Sequence, residues 1–249
     1  MMESPIDMEP KSIVESFQRL KCARDLSVAA LRVIADISIR KKIPLGKNLW
    51  SMGDPGDFVG ILLSGAIEIN KINVNGNETC MGIFGPSDAM GISAVIKRAQ
   101  YPATAKSISK NTEVLKLYLR SIMQEKAHPA YEEISTWLRE LLLSHEQTLR
   151  DKIDILSAGR VESRVIELLT QLSSRFGQKN ASGDRRDGKN SFFIPLVISK
   201  TLISRLVEVR VETIIRLLSS WSKLGLIEFQ KNGVFIPDLE KLRDKADAN

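Results

Sequence analysis

Apolar positions along this chain recur with different rhythms in different regions. Within residues 12–40, Ile13, Phe17 and Leu20, then Leu31, Ile34 and Ile37, return every three or four positions, which predicts amphipathic helix. Residues 43–119 change character. Short β-rich runs alternate with Gly and Pro signals, and Asn75-Gly76 between two such runs predicts a tight hairpin. Short strands at regular spacing predict a small barrel or roll. Residues 129–156 return to helix, with Ile134, Leu138, Leu141, Leu142, Leu149, Ile153 and Leu156 in one apolar stripe and His145 near it. At about 1.5 Å per residue this helix would run roughly 40 Å. The roll alone cannot cover a stripe that long, so pairing with a second copy is the economical expectation. Packing within the chain is the alternative.

A further helix is expected over 161–176. Residues 177–191, GQKNASGDRRDGKNS, carry turn formers and no periodicity, and read as a solvated basic loop with Arg185, Arg186 and Lys189. The segment 198–237 then reads as helix, tight turn, second helix and a small hairpin turning at Asn232-Gly233. Ser199 can cap the first of these helices. On the second, Glu212, Thr213 and Arg216 share a polar edge, while Ile214, Leu217 and Leu218 fall at the spacing of a buried face. Forked polar side chains near the start of such a helix suit the DNA major groove.

Charge sharpens this picture. The chain carries a net charge of +6, and its residues from Ser157 onward hold 16 basic against 11 acidic side chains. The first 156 residues hold 20 against 19. A basic C-terminal part on a near-neutral N-terminal part points to a polyanion partner. The two cysteines, Cys22 and Cys80, cannot build a disulfide framework and fit structural roles in a reducing cytoplasm. The acidic start MMESPIDMEPK lacks the apolar core of a signal peptide, and no window approaches 18 uninterrupted apolar residues. A cytoplasmic protein is therefore expected. No metal-ligand cluster, phosphate-cradling Gly loop or nucleophile elbow is present, so an enzyme is not expected.

Two motifs in order, GDPGDFVGILLSGAIEI at 53–69 with Gly56 and Gly65 at turns and VETIIRLL at 211–218, resemble the CRP/FNR family of bacterial transcription regulators. The resemblance implies an α+β protein: a β-roll sensor domain of the cyclic-nucleotide-binding type with N-terminal helices (1–128), a long dimerisation helix (129–156) and a winged helix-turn-helix (157–249). It implies a homodimer on a two-fold symmetric operator, with RNA polymerase as a further partner. Arg216 matches the family's guanine reader, Glu212 the acceptor from a cytosine amino group and Thr213 a phosphate contact. Arg210, Ser199, Lys200 and Lys231 complete the expected DNA surface. Val211 stands where cyclic-AMP responders carry Arg, which resembles the FNR-like branch with its TTGA half-sites, although Ile215 departs from that branch. Glu208 occupies the turn position where the family has Gly.

Cyclic-nucleotide binders of the family use a Gly-Glu pair and an Arg-Ser/Thr pair. The matching region here is Gly91, Ile92 and Ser93, then Tyr101, Pro102, Ala103 and Thr104. Ile92 replaces the Glu, and the Arg position falls at Tyr101 or Pro102. Cyclic AMP binding in the usual manner is not expected. Two cysteines are too few for a four-cysteine iron–sulfur cluster. Haem ligation by His128 or His145 stays open, with no cofactor as the preferred expectation. The alternative to a DNA-binding regulator is a small-molecule-sensing module whose helix-turn-helix serves protein contacts.

Overall fold

The computed structural model describes residues 10–72, 74, 76, 78–120, 122, 128–179 and 191–247. The chain divides into two compact units, one from Met1–Lys71 and Ile83–Thr148, the other from Ile72–Gly82 and Leu149–Asn249. The division falls inside the long helix.

In the first unit, α1 (Pro10–Gln18) and α2 (Val28–Asp36) precede an antiparallel roll. The Ser27 hydroxyl caps α2 by accepting from the Ala30 amide at 3.1 Å. The expected helix to residue 40 stops at Asp36, because Ser38–Ile43 forms β1 instead. This strand pairs with β8 (Thr112–Leu117) from Ser38↔Leu117 to Ile43↔Thr112. Arg40 and Lys42 both pair with Glu113 on that neighbour, which gives the charged run SIRKKI a reason to be strand.

The remaining strands are β2 (Asn48–Trp50), β3 (Val59–Ser64), β4 (Ile67–Ile72), β5 (Glu78–Phe84), β6 (Ala89–Met90) and β7 (Thr104–Ser107). With β1 and β8 they form two four-stranded sheets, in the orders β1-β8-β3-β6 and β2-β7-β4-β5. A short helix, α3 (Ile92–Lys97), follows β6. Gly65 at φ +82 makes the turn between β3 and β4, and Gly76 at φ +78 lies between β4 and β5. Its predicted turn partner Asn75 lies outside the described residues.

The roll interior is filled by Leu62, Ile67, Ala105 and Val114 together with the aromatic group Trp50, Phe58 and Tyr101. The other face of the first sheet, with Val59, Ile61, Leu115 and Leu117, meets Phe17, Leu31 and Ile34 of the N-terminal helices. The long helix α4 (Tyr131–Ser157) joins this second layer. The Trp137 indole lies edge-on to Phe17 at 5.7 Å and donates to the Cys22 carbonyl at 2.5 Å.

This packing corrects the reading of the stripe. Ile134, Leu138 and Leu141 are 0%, 2% and 4% exposed within the first unit's core, so they are not available to a second copy. Leu142, Leu143, Leu149 and Ile153 remain exposed, at 42% to 68%. The stripe thus serves two ends. Its first turns cover the sheet, and its later turns leave an apolar face open. His145 lies in the same helix, and its side chain is outside the described residues.

The second unit continues with α5 (Val161–Phe176), β9 (Gln178–Lys179), β10 (Phe192–Ile194), α6 (Lys200–Val207), α7 (Val211–Lys223), β11 (Glu228–Gln230), β12 (Gly233–Ile236) and α8 (Leu239–Asp247). Its sheet has the order β11-β12-β10-β9. The basic residues Arg185, Arg186 and Lys189 lie outside the described residues. In the wing, Gln230 pairs with Gly233, so Lys231 and Asn232 are the central turn residues, not Asn232 and Gly233. Gly233 belongs to the strand, where an added Cβ would collide with the Ile194 carbonyl and approach the Phe193 ring to 2.7 Å. Close approach, not turn conformation, requires the glycine there.

Candidate nucleic-acid interface

Ser199 caps α6 as expected, its hydroxyl accepting from the Leu202 amide at 3.0 Å. Leu202, Ile203, Leu206 and Val207 are buried on one side of this helix. Glu208 ends it in the left-handed conformation, φ +55 and ψ +49. A non-glycine residue there costs roughly 1 kcal/mol, so the turn the family makes with Gly is made here under strain. Across the turn, the Ser204 hydroxyl donates to the Val209 carbonyl at 2.7 Å, and the Val209 amide donates to the Ser204 carbonyl at 3.1 Å.

Helix α7 buries Ile214, Leu218 and Trp221. The predicted Leu217 is only half-buried. Trp221 takes its place three residues beyond Leu218, a spacing that could have revealed it. The other side of α7 exposes Glu212, Ile215 and Arg216, with Val211 and Thr213 half-buried. Among the described residues no ion pair engages Arg216 or Glu212, although they stand at i and i+4. The guanidinium fork and the carboxylate thus keep their donors and acceptors for another molecule. Arg210, Ser199 and Lys231 are exposed and Lys200 is half-buried.

Residues not singled out from the sequence hold this turn in place. The Lys152 ammonium, from α4, donates to the carbonyls of Leu206 at 2.5 Å and Arg205 at 3.4 Å, and lies 3.3 Å from a Glu208 carboxylate oxygen. Arg164 donates to the Val207 carbonyl at 3.4 Å. Arg205 pairs with Glu78 at 2.5 Å within the same unit. No periodicity marks Lys152, because a lysine on the flank of an apolar stripe reads as solvated surface.

The proposed effector region has a different character. Gly91 sits at φ +80 before α3, and an added Cβ would lie 2.8 Å from the Tyr101 ring. Ile92 is fully buried and Tyr101 is 1% exposed. The Tyr101 ring stacks on Trp50 at 4.1 Å and meets Phe58 at 5.8 Å. Its hydroxyl donates to the Phe58 carbonyl at 2.5 Å, and burial pushes its pKa up to about 12. Ala103 is buried, Thr104 is half-buried and accepts from the Met52 amide at 2.9 Å, and Ser93 and Pro102 are exposed. Of the residues expected to line an effector site, Ile92, Tyr101 and Ala103 are thus packed into the core, while Ser93 and Pro102 face solvent. A cavity in this unit, lined by Gly56, Asp57, Arg98 and Arg120 among others, measures about 150 Å³. Ligand sites commonly exceed about 300 Å³.

Among the described residues, no three His, Cys, Asp or Glu side chains gather to hold a metal, and no helix is long and apolar enough to cross a membrane. His128 Nδ1 accepts from the Ala130 amide at 3.1 Å where α4 begins. Burial pushes the Cys22 thiol up to about 12, far from a reactive thiolate.

Comparison with known proteins gives these features a common origin. Residues 40–126 match the cyclic nucleotide-binding domain family, and residues 163–245 match the Crp-like helix-turn-helix domain. The chain is 26% identical over 205 residues to a CRP-like cAMP-activated global transcriptional regulator of Mycobacterium tuberculosis, covering 82% of this chain and 86% of that one. It is 26% identical over 222 residues to the transcriptional activator protein FnrA of Stutzerimonas stutzeri, covering 86% and 83%. Its fold is similar to that of FixK2 from Bradyrhizobium japonicum, with a TM-score of 0.64 at 17% identity over 84% of this chain and 96% of that one. A CRP-family regulator from Thermus thermophilus superposes with a TM-score of 0.65 at 18% identity, over 83% and 96%. With a roll, a long helix and a winged helix-turn-helix in that order, the chain belongs to the CRP/FNR family of DNA-binding transcription regulators.

Proposed function

We propose that this regulator acts in the cytoplasm as a homodimer on an operator with two TGA-like half-sites, their centres about one helical turn apart. The observation that carries the reading is the exposed Arg216 and Glu212, one turn apart on α7 and free of ion pairs among the described residues. In the major groove the guanidinium fork suits guanine O6 and N7, and the carboxylate suits the amino group of the paired cytosine. Thr213, Ser199, Lys200, Lys231 and Arg210 lie at or near the ends of α6, α7 and the wing, where phosphate contacts fix the register. Leu142, Leu143, Leu149 and Ile153 supply the apolar face for the second copy. RNA polymerase is the downstream partner.

The roll works without cyclic AMP and without a metal or haem. The fully buried Ile92 and the stacked Tyr101 support the first of these, since neither offers a charge to a ribose or a cyclic phosphate.

Selection of bound sequences from random DNA, with purified protein and no added ligand, tests the whole reading. Recovery of a palindrome with guanine at a fixed place in each half supports it. Recovery of no preferred sequence removes it and favours a helix-turn-helix that serves protein contacts. Isothermal calorimetry with cyclic AMP and cyclic GMP tests the roll, where no binding tighter than about millimolar is expected.

A further inference from the structure

The carbonyls at the end of α6 are capped by side chains from other helices. An α-helix leaves its last carbonyls without partners, and they carry the negative end of its dipole. Here Lys152 donates to the carbonyls of Arg205 and Leu206, and Arg164 donates to that of Val207. The same ammonium lies 3.3 Å from the carboxylate of Glu208, the strained turn residue. The Lys152 side chain is 13% exposed, so its charge is turned to these oxygens and is withheld from solvent. Arg164 is anchored in turn by the Gly159 carbonyl at 3.0 Å. Two cations on flanking helices thus hold the point from which α7 departs.

We propose that Lys152 is a positioning residue for base reading. It neutralises the end of α6 and clamps Glu208, and so fixes the angle at which α7 presents Arg216 and Glu212. The pair does what a glycine would do at this turn by other means. Glycine would remove the strain, whereas Glu208 keeps the strain and ties the turn to α4 through charge. Lys152 also shares its helical turn with the exposed Leu149 and Ile153. A movement of α4 would therefore reach the reading helix through Lys152.

This inference rests on the DNA-reading function proposed above, and its test separates the two. The probe is the operator recovered by selection with the wild-type chain, with a scrambled duplex for non-specific binding. Lys152→Met should lose about tenfold in operator affinity and keep its non-specific affinity within about twofold. Lys152→Arg should restore most of the loss, because the cation returns. Glu208→Gly in the Lys152→Met background should also restore most of it, since strain and stranded carboxylate leave together. Glu208→Gln sits at a half-exposed position, so it carries the test should Lys152→Met not fold, with an expected loss of about threefold. If the wild type prefers its operator and either folded single variant keeps the full operator-to-scrambled ratio, the positioning role is overturned. An equal loss for both duplexes overturns it too, since that is the signature of a merely weakened fold. A wild type with no sequence preference removes the reading itself, and with it the basis of this proposal.

Discussion

On α7, Arg216 and Glu212 stand exposed with no ion-pair partner among the described residues, whereas in the roll Ile92 and Tyr101 are only 0% and 1% exposed. The family resemblance assigns the first to DNA contact and the second to an effector. One keeps its polar atoms free for a partner. The other is closed by packing, with Tyr101 stacked on Trp50. Polar side chains are left exposed on α7, whereas at 92 and 101 the side chains join the core of the roll.

The contrast breaks most visibly at Tyr101. Tyr101→Ala removes a buried aromatic ring and should destabilise the first unit by about 3–5 kcal/mol, read as a fall in the denaturant midpoint. A variant that melts like the wild type and gains micromolar affinity for cyclic AMP would show that the ring only blocks a working pocket. The open face of α4 comes next. Leu149→Asp with Ile153→Asp should remove roughly 1.5–3 kcal/mol per side chain from dimer association, giving monomers at micromolar concentration by sedimentation. Leu141→Asp, by contrast, should damage the fold of the first unit, because Leu141 is a core residue. Sedimentation of the pair variant as a full dimer would move the interface elsewhere.

Arg216→Ala should leave the melting profile unchanged while operator affinity falls by about 1–3 kcal/mol per half-site. Lys231→Ala should instead weaken all sequences alike and flatten the salt dependence. Should the Arg216→Ala protein keep the wild-type preference for guanine, the base-reading assignment is lost.

The smallest expected effect concerns β1. Burial alone would push the Glu113 carboxyl up, but its hydrogen bond to Arg40 and the charges of Arg40 and Lys42 outweigh that and hold it below its ordinary value. Its contribution to stability is therefore present above the unfolded value near about pH 4.3 and fades as pH falls through the folded one. Glu113→Gln should lower the melting temperature at pH 7, with the gap to wild type closing in acid. A gap that persists undiminished at low pH would mean that shape, not charge, joins these strands.

The legible parts of the molecule were those governed by local rules. Helix periodicity located 161–176 and the two helices of the helix-turn-helix, and Ser199 announced its cap. The β-rich run with its turn residues gave the roll. What escaped depended on tertiary partners. Residues 38–40 looked helical because Ile37 extended an apolar rhythm, but Glu113, more than seventy positions away, makes SIRKKI a strand. The stripe of α4 looked like one surface, since spacing does not say which turns the roll will cover. Asn232-Gly233 looked like a turn pair, yet Gly233 answers to the Ile194 carbonyl on another strand. The residue types at 92 and 101 gave no sign that both side chains turn inward. Lys152 had no signal, because its partners are backbone carbonyls of a distant helix.

The placement of the three tryptophans has an optical consequence. Trp50 is stacked on Tyr101 inside the roll, Trp137 on α4 lies beside Phe17, and Trp221 is on the buried face of α7. All three are at most 6% exposed, so each should emit in the blue while its surroundings stay packed and shift red when they loosen. Variants that keep one indole at a time would turn the intrinsic fluorescence into separate reporters of the roll, the helix layer and the winged helix. Which of these regions unravels first could then be followed without an attached dye.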